Sequence, residues 1–545
     1  LPGVLCIWKQ KLWYFHSLTL CAINVDTKKE IMTANLDALI PREDFEVKEN
    51  IENPFQNLPA LQIRDLEENT FVYKTLRKPD FQRETSEWTE EKIYELIQSF
   101  ISGDLIPAVI LWNSSGYNFV IDGAHRLSAI IAWVTDDYGD GPISKSFFGF
   151  NITPEQIDVA EKTRKLINKK IGSYKEHLYA INNADKVEKA LLESAQRLAT
   201  LTIQLQWVRG DSRKAEASFF KINEQASPIN ETEKKLLKSR KKPNAIAARA
   251  IIRSGTGHKY WSKFAQEKQS EIELLAKEVN DILFTPKLQT PIKTLDVPLA
   301  GRGYSSQTLT LILDLINITN NITHDTELAD DETGDDTITK LKKTRKILGR
   351  ISGTHASSLG LHPVVYFYST AGRYQVTAFL ATIELFKEFD AKNQFEDFIK
   401  IRKSFEDFII KYKNIVNQVN FKYGSGLKSY KRLQKLYLFI IDLIKQNKTD
   451  LEIVTSLAKS VDFSFLTPEA IEIEPTLRKD FTTETKSAVF LRDALANPLR
   501  CKICNGLIHK NSISIDHIER KQDGGKGNVD NGQLTHPFCN STVKN

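Results

Sequence analysis

At 545 residues the chain is long enough for two to four domains of ~100–200 residues each. Its 41% hydrophobic and 26% charged residues are ordinary for a globular protein with true cores, and a formal charge of +6 permits a nucleic-acid partner without demanding one. The apolar stretch within residues 1–31 is broken by Lys9 and Lys11. It is too interrupted for a membrane span, which needs ~20 consecutive apolar residues. It also lacks the basic start and small-residue cleavage site of a signal peptide, so no membrane partner is expected.

Met32 is the one methionine, and Met32-Thr-Ala-Asn-Leu reads as a natural beginning; residues 1–31 then read as an upstream extension or arm, and 32–60 as an N-terminal arm. Of five cysteines, Cys6 and Cys21 fall in that extension, while Cys501, Cys504 and Cys539 lie in the last 45 residues. A long body without cysteine is no disulfide scaffold, which implies a reducing cytoplasm. Thiols confined to one short segment point to a metal.

Residues 61–133 read as mixed α/β. Thr89 can cap a helix over residues 89–100, with Ile93, Leu96, Ile97 and Phe100 at helical spacing. Residues 108–112 read as a strand, Ser114-Ser115-Gly116 as a turn, and 117–121 as the returning strand. Asp122-Gly123 ends it, and a helix with an apolar face starts at Ala124. From residue 154 to about 316 the pattern is mostly helical, and the basic run 231–242 reads as a solvated face or a phosphate-binding patch. Residues 325–336 hold seven acidic residues and no basic one, as expected of a linker or exposed loop. A second helical region follows to about residue 496. Its repeated Phe-Glu-Asp-Phe-Ile at Phe395 and Phe405 predicts core packing, and His362 reads as structural.

The C-terminus carries the strongest signal. Cys501-Lys-Ile-Cys504 and His536-Pro-Phe-Cys539 are two pairs at matching spacing, which together offer a Cys3His set for structural Zn2+. Between them lie the alternating Ile513-Ser-Ile-Asp516-His517-Ile518, the loop Asp523-Gly-Gly-Lys-Gly-Asn528, Asn531, and Asn540 directly after Cys539. This order resembles the Cys-containing branch of the HNH endonucleases, whose fold is ββα-metal; His536 stands where that branch usually has cysteine. Phosphodiester hydrolysis needs an activated water, charge neutralisation and help for the leaving oxygen. A pKa near neutrality suits His517 as general base. By the resemblance, Asp516 and Asn540 would hold one Mg2+ or Mn2+, to which their oxygens are suited, and Asn531 would fix the glycine-rich loop and orient His517. Lys521 and Lys526 are placed for phosphate contacts. A zinc finger that only binds would account for the four metal ligands but not for Asp516, His517 and Asn540 in register.

Near the N-terminus, Phe81-Gln82-Arg83 precedes a helix, and Asp122-Gly123-Ala124-His125-Arg126 occupies a strand-to-helix turn. Such a turn offers free N–H groups and a positive dipole end to a phosphate, with Arg83 and Arg126 as bidentate partners. With Phe220-Lys-Ile-Asn223 downstream, this resembles the ParB/sulfiredoxin-like "DGQQR" domain of GmrSD-type modification-dependent restriction proteins. The resemblance implies a nucleotide or phosphate site at Gln82, Arg83, Asp122, Gly123, His125, Arg126 and Asn223, for GTP, ATP or CTP. Two glutamines of the motif are missing, and Ala124 stands where sulfiredoxins carry their cysteine, which excludes that reductase chemistry. An Asp122–Arg126 salt bridge without any ligand is the plainer alternative.

The expected fold class is multidomain α+β: a ParB/sulfiredoxin-like α/β domain over 61–150, its helical extension over 151–320, an acidic linker over 321–345, a helical domain over 346–484 and a tethered ββα-metal HNH module over 485–545. The expected function is a metal-dependent DNA endonuclease of restriction-like, anti-phage type, with an N-terminal domain sensing a nucleotide or modified DNA. One HNH module per chain cuts one strand, so a homo-oligomer is expected for double-strand cutting. The alternatives are a DNA-binding regulator with a structural zinc module and a nucleotide switch, or an NTPase; the lack of GxxxxGK[ST] rules out only the P-loop kind.

Overall fold

The computed structural model describes residues 33–43, 58–467 and 481–543, apart from positions 83, 84, 87, 115, 151, 227–235, 238, 304, 305 and 324. Cys6, Cys21 and Arg83, and half of the basic run 231–242, lie outside the described residues.

The N-terminal part is built on a mixed sheet. Its strands are β1 (Arg42–Glu43), β2 (Ala60–Gln62), β3 (Leu76–Pro79), β4 (Val109–Ser114), β5 (Tyr117–Asp122) and β6 (Thr202–Trp207), in spatial order β1-β3-β5-β4-β6-β2. The hairpin β4–β5 is antiparallel, as its turn predicts, whereas β3 joins β5 and β6 joins β4 in parallel. Helix α1 (Glu90–Ser102), capped by the Thr89 hydroxyl on Lys92 N, and helix α2 (Ala124–Thr135) share one core with Val109, Leu111 and Val120. The alternate residues Trp112, Phe119 and Ile121 face a separate core with Phe81, Ala215 and Phe219, the last two on α3 (Ser212–Ala226). Both faces of the hairpin are covered, which is why these strands read as near-continuous apolar runs.

The rest is helical and shares one apolar cluster from Ile246, on α4 (Pro243–Ile252), to Cys539. The acidic stretch expected as a linker does not divide it. Asp331 is buried and accepts hydrogen bonds from Gly334 N (2.7 Å), Thr337 N (2.8 Å) and the Thr337 hydroxyl (2.7 Å), which starts α5 (Asp335–Ile351). Lys242 and Lys268 reach Asp330 and Asp335 at 2.8 and 2.5 Å. Most of its acids lie exposed on a loop, as expected, and cations distant in sequence offset their repulsion. The Phe395 and Phe405 copies lie on one helix, α7 (Phe395–Lys411), after α6 (Val376–Lys392), with Phe395, Phe398, Phe405 and Phe408 buried. His362 accepts from Val364 N and caps a short helical turn, a structural role. No helix among the described residues is long and apolar enough to cross a membrane.

Asp331→Ala leaves buried N–H groups without acceptors, so it is expected to lower stability by about 1–3 kcal/mol in urea denaturation. Asp330→Ala, which removes a half-exposed ion pair, should change it by less than about 1 kcal/mol.

Candidate active site

Strands β7 (Ser514–His517) and β8 (Gly532–Thr535) form an antiparallel hairpin in which Asp516 faces Gln533 and His517 faces Gly532. A closing helical turn, Cys539–Val543, returns Asn540 to β7, where its Nδ2 donates to Ser514 Oγ (2.7 Å) and to the Ile515 carbonyl (3.3 Å). Asp516 is buried, and its Oδ2 accepts from Gln533 Nε2 at 2.8 Å. Asn531 ties the loop between the strands. Its Oδ1 accepts from Glu519 N (2.7 Å), and its Nδ2 donates to the carbonyls of Glu519 (3.1 Å) and Lys526 (2.9 Å). The loop lies so close that a Cβ at Gly525 would overlap the Glu519 carbonyl oxygen, and Gly524 takes φ +100°. A Cβ at Gly527 would stand 3.9 Å from His517 Nε2, so the loop held by Asn531 runs beside the imidazole.

The two predicted ligand pairs meet under this hairpin. Cys501, Cys504, His536 and Cys539 are all buried, with ligand atoms within 4.8 Å of one another. His536 Nε2 lies 3.0 Å from the Leu507 carbonyl, which only accepts, so Nε2 carries the proton; Nδ1, 3.4 Å from Cys504 Sγ, keeps its lone pair. Burial, and then Arg402, hold His536 below the usual imidazole range and therefore neutral. The three thiols cannot ionise together unaided. Hydrogen bonding with Cys504 and Cys539 draws Cys501 far below the usual thiol value and pushes both partners up. A divalent cation relieves that conflict, and the cluster fits a metal such as zinc.

The metal cluster is not free-standing. Arg402, fully buried on α7, donates from Nε to Glu406 Oε1 (2.6 Å), from Nη1 to the Leu359 carbonyl (2.6 Å) and from Nη2 to the Gly360 carbonyl (3.0 Å). Its Nη1 also lies 3.2 Å from His536 Nδ1. Glu406, equally buried, accepts from the Tyr366 hydroxyl (3.0 Å) and from Leu507 N (3.3 Å) in the knuckle. Phe538 packs edge-on against Phe395 at 6.2 Å, and Cys501, Leu507 and Phe538 belong to the helical core. The module expected to be tethered is seated in the body. Sequence reading missed Arg402 and Glu406; the one signal was two charges, i and i+4, on the apolar face of a helix.

At the N-terminal site, the three expected motifs converge only in part. Phe81 meets Phe219 and Phe220 at 5.2 and 6.2 Å, which joins the Gln82 loop to α3, the helix that carries Asn223. Gly123 takes φ +94°, and a Cβ there would come within 2.9 Å of Val109 Cγ2. Arg126 pairs with Asp122 and donates to the carbonyls of Pro107 and Ala108, so the guanidinium expected to reach a phosphate is engaged within the fold. His125 stacks on Trp88 at 5.8 Å.

Sequence reading also missed a buried cluster around Asp37. Asp37, fully buried, pairs with Arg42, with Lys78 Nζ (2.7 Å) and with Arg253 Nη2 (3.2 Å). Burial alone would raise the Asp37 pKa, but the three cations hold it well below the carboxylate range. Burial lowers Lys78 to about 7, partly offset by Asp37, and His258 nearby is driven to about 2 by burial and then by Arg42, Arg253 and Arg249. Gln82 gives its carbonyl to Arg42, and its own buried Oε1 has no partner among the described residues. The sequence signal was charges inside short apolar runs, as in Ala-Arg249-Ala-Ile-Ile-Arg253.

Residues 63–467 match the family described as GmrSD restriction endonuclease, N-terminal domain, and residues 501–545 match HNH endonuclease. The chain belongs to the GmrSD restriction endonuclease family. This GmrSD protein is therefore a restriction-type nuclease that cleaves DNA, and the reading as a non-cutting regulator is not favoured. No curated protein and no solved structure matches it.

Arg402→Met strands a buried carboxylate and is expected to lower stability by about 3–5 kcal/mol. It should also weaken metal retention about 10–100-fold in chelator competition. The double variant with Glu406→Gln should recover much of the stability without recovering metal retention. If both return together, Arg402 serves the fold and not the metal.

Proposed function

We propose that the HNH hairpin hydrolyses a DNA phosphodiester with His517 as general base. His517 takes the proton of a water as that water's oxygen bonds to phosphorus, the bond to the leaving oxygen breaks, and that oxygen is protonated from solvent. Asp516 and Asn540 are the residues that would hold one Mg2+ or Mn2+, which when bound neutralises the phosphate and the leaving oxygen. Asn531 is a positioning residue that acts through the loop beside His517. Cys501, Cys504, His536 and Cys539 would hold Zn2+ as a structural ion. The observation that carries this reading is the Asn531 side chain, whose three hydrogen bonds close the loop around His517. A zinc finger that only binds has no need of that arrangement.

The domain over residues 61–150 is read as ParB/sulfiredoxin-like, with 151–320 as its extension and 346–484 and 485–545 as the body and nuclease, in a cytoplasmic protein acting on foreign or modified DNA. A nucleotide (GTP, ATP or CTP) is the ligand proposed for the site at Gln82. The buried Gln82 Oε1 wants a donor such as a base amino group. Arg126 is assigned to shaping the Asp122-Gly123 turn.

Wild-type protein with Mn2+ is expected to nick supercoiled plasmid or modified phage DNA, and His517→Ala to lose about 10²–10⁴-fold in rate. Equal cleavage by both proteins removes His517 from the chemistry, and intact DNA under every nucleotide condition removes the whole reading. A bound nucleotide should raise the melting temperature by linkage; an unchanged Tm at millimolar GTP, ATP and CTP removes the nucleotide assignment.

A further inference from the structure

The helical body carries a second feature that the hairpin does not use. Residues 408–441 contain seven Lys and Arg and no Asp or Glu. Two of the seven are consumed by the fold: Lys411 pairs with Asp450 at 2.7 Å, and Lys413 is buried on the carbonyls of Val364, Val365 and Tyr368. The other five are exposed. Lys422 lies near the end of α8 (Asn414–Tyr423), Lys428 in the connecting turn, and Lys431, Arg432 and Lys435 in the first turns of α9 (Tyr430–Lys445).

None of the five has a carboxylate partner among the described residues. Some exposed lysines on other helices do have one: Lys162 with Asp158, Lys165 with Glu161, Lys403 with Asp407. The acids on the neighbouring helix, Glu384 and Glu388, are matched to Lys387 and Lys392. The placement also runs against helix stability. The first turn of α9 has no acidic residue, and three cations follow at the positive end of its dipole, where negative charge is favoured. Aromatic rings lie between the cations: Lys422 sits 4.1 Å from the Phe465 ring, Arg432 is 5.4 Å from Tyr423, and Phe421 is 96% exposed.

We infer that this stripe is a docking surface for the phosphate backbone of duplex DNA, on the helical body and distinct from the hairpin. Unpaired cations and a helix N-terminus are complementary to a polyanion, and phosphate contacts position a duplex without reading its sequence. The stripe would hold the substrate while the HNH hairpin reaches one strand. This inference rests on DNA being the substrate, and it concerns binding and not cleavage.

The test uses full-length, metal-loaded protein carrying His517→Ala, so that DNA is bound but not cut, and reads duplex affinity by fluorescence anisotropy from 50 to 200 mM salt. Lys428→Gln/Lys431→Gln/Arg432→Gln is expected to lower the slope of log K against log salt by about 2–3, at ~0.9 for each phosphate no longer neutralised. It should weaken binding at least tenfold at low salt. The control Lys162→Gln/Lys165→Gln/Lys403→Gln removes the same charge from paired sites and should leave the slope unchanged. A slope that falls equally in both proteins reports net charge alone and overturns the inference; so does a slope unchanged in the stripe variant. If DNA affinity holds but sedimentation shows that a dimer has dissociated, the stripe takes an acidic surface of a second copy, and the inference again fails. Failure of the nuclease reading would be seen separately, as wild-type protein that does not cut.

Discussion

The structure depends most on a pair of charges that has no contact with water. Arg402 and Glu406 are fully buried one helical turn apart on α7. Removing two such ions from water costs several kcal/mol each, and their mutual attraction offsets this only if every remaining donor and acceptor is satisfied. The partners come from both sides of a seam: the Leu359 and Gly360 carbonyls and the Tyr366 hydroxyl from the body, and Leu507 N and His536 from the metal knuckle. The pair therefore requires the nuclease module to sit in one place. Its cation also stands beside a cluster of thiols that turns anionic when it holds a divalent metal, so the charge of the knuckle and that of the helix complete each other.

A second buried network does the same at the other end. Asp37 gathers Arg42 from β1, Lys78 from β3 and Arg253 from just beyond α4. Arg240 links Asp80 to Glu216 on α3, and Tyr260 donates to the Asp80 carbonyl. The strand that leads to Gln82 is thus held by groups belonging to the helical core. Ion pairs of this kind contribute less to stability than to registry, because an apolar seam would tolerate sliding where a geometrically satisfied charge does not. Contiguity alone is not coupling, which needs an element with two arrangements; these contacts identify the loop at Gln82 and α4 as the place to look for one.

The parts of this molecule legible in the sequence are those whose causes are local. The hairpin β4–β5 follows from apolar runs about Ser114-Ser115-Gly116, α1 from Thr89 and its periodicity, and the metal cluster from two pairs with two intervening residues. The seams were illegible because their partners are far apart in the chain: Arg402 and His536 are separated by 134 residues, Asp37 and Arg253 by 216. The one local signal at Arg402, its place with Glu406 on the apolar face of α7, does not say what lies opposite, so the nuclease read as tethered. The acidic stretch at 325–336 was legible as an exposed loop but not as part of the body, since the lysines that pair with it are 67 and 88 residues upstream. At Asp122-Gly123 the turn was legible, but whether Arg126 faced a ligand or its own Asp122 depended on the side-chain geometry.

How the nuclease is seated bears on how two strands are cut. A hairpin on a flexible tether could visit one strand, release and swing to the other, whose polarity is opposite. The hairpin here is fixed by buried charges, a metal knuckle and the Phe395–Phe538 contact, and swinging it would expose Arg402 and Glu406 without partners. The cost of that is of the order that unfolds a domain. With His517 as the proposed general base, a module held this firmly would present it to one strand in one polarity for each approach of the body. A double-strand break then needs a second approach in the opposite orientation, which a two-fold related second copy supplies directly. The rigidity of the seam is thus the physical reason to expect that nicking belongs to one chain and double-strand cutting to two.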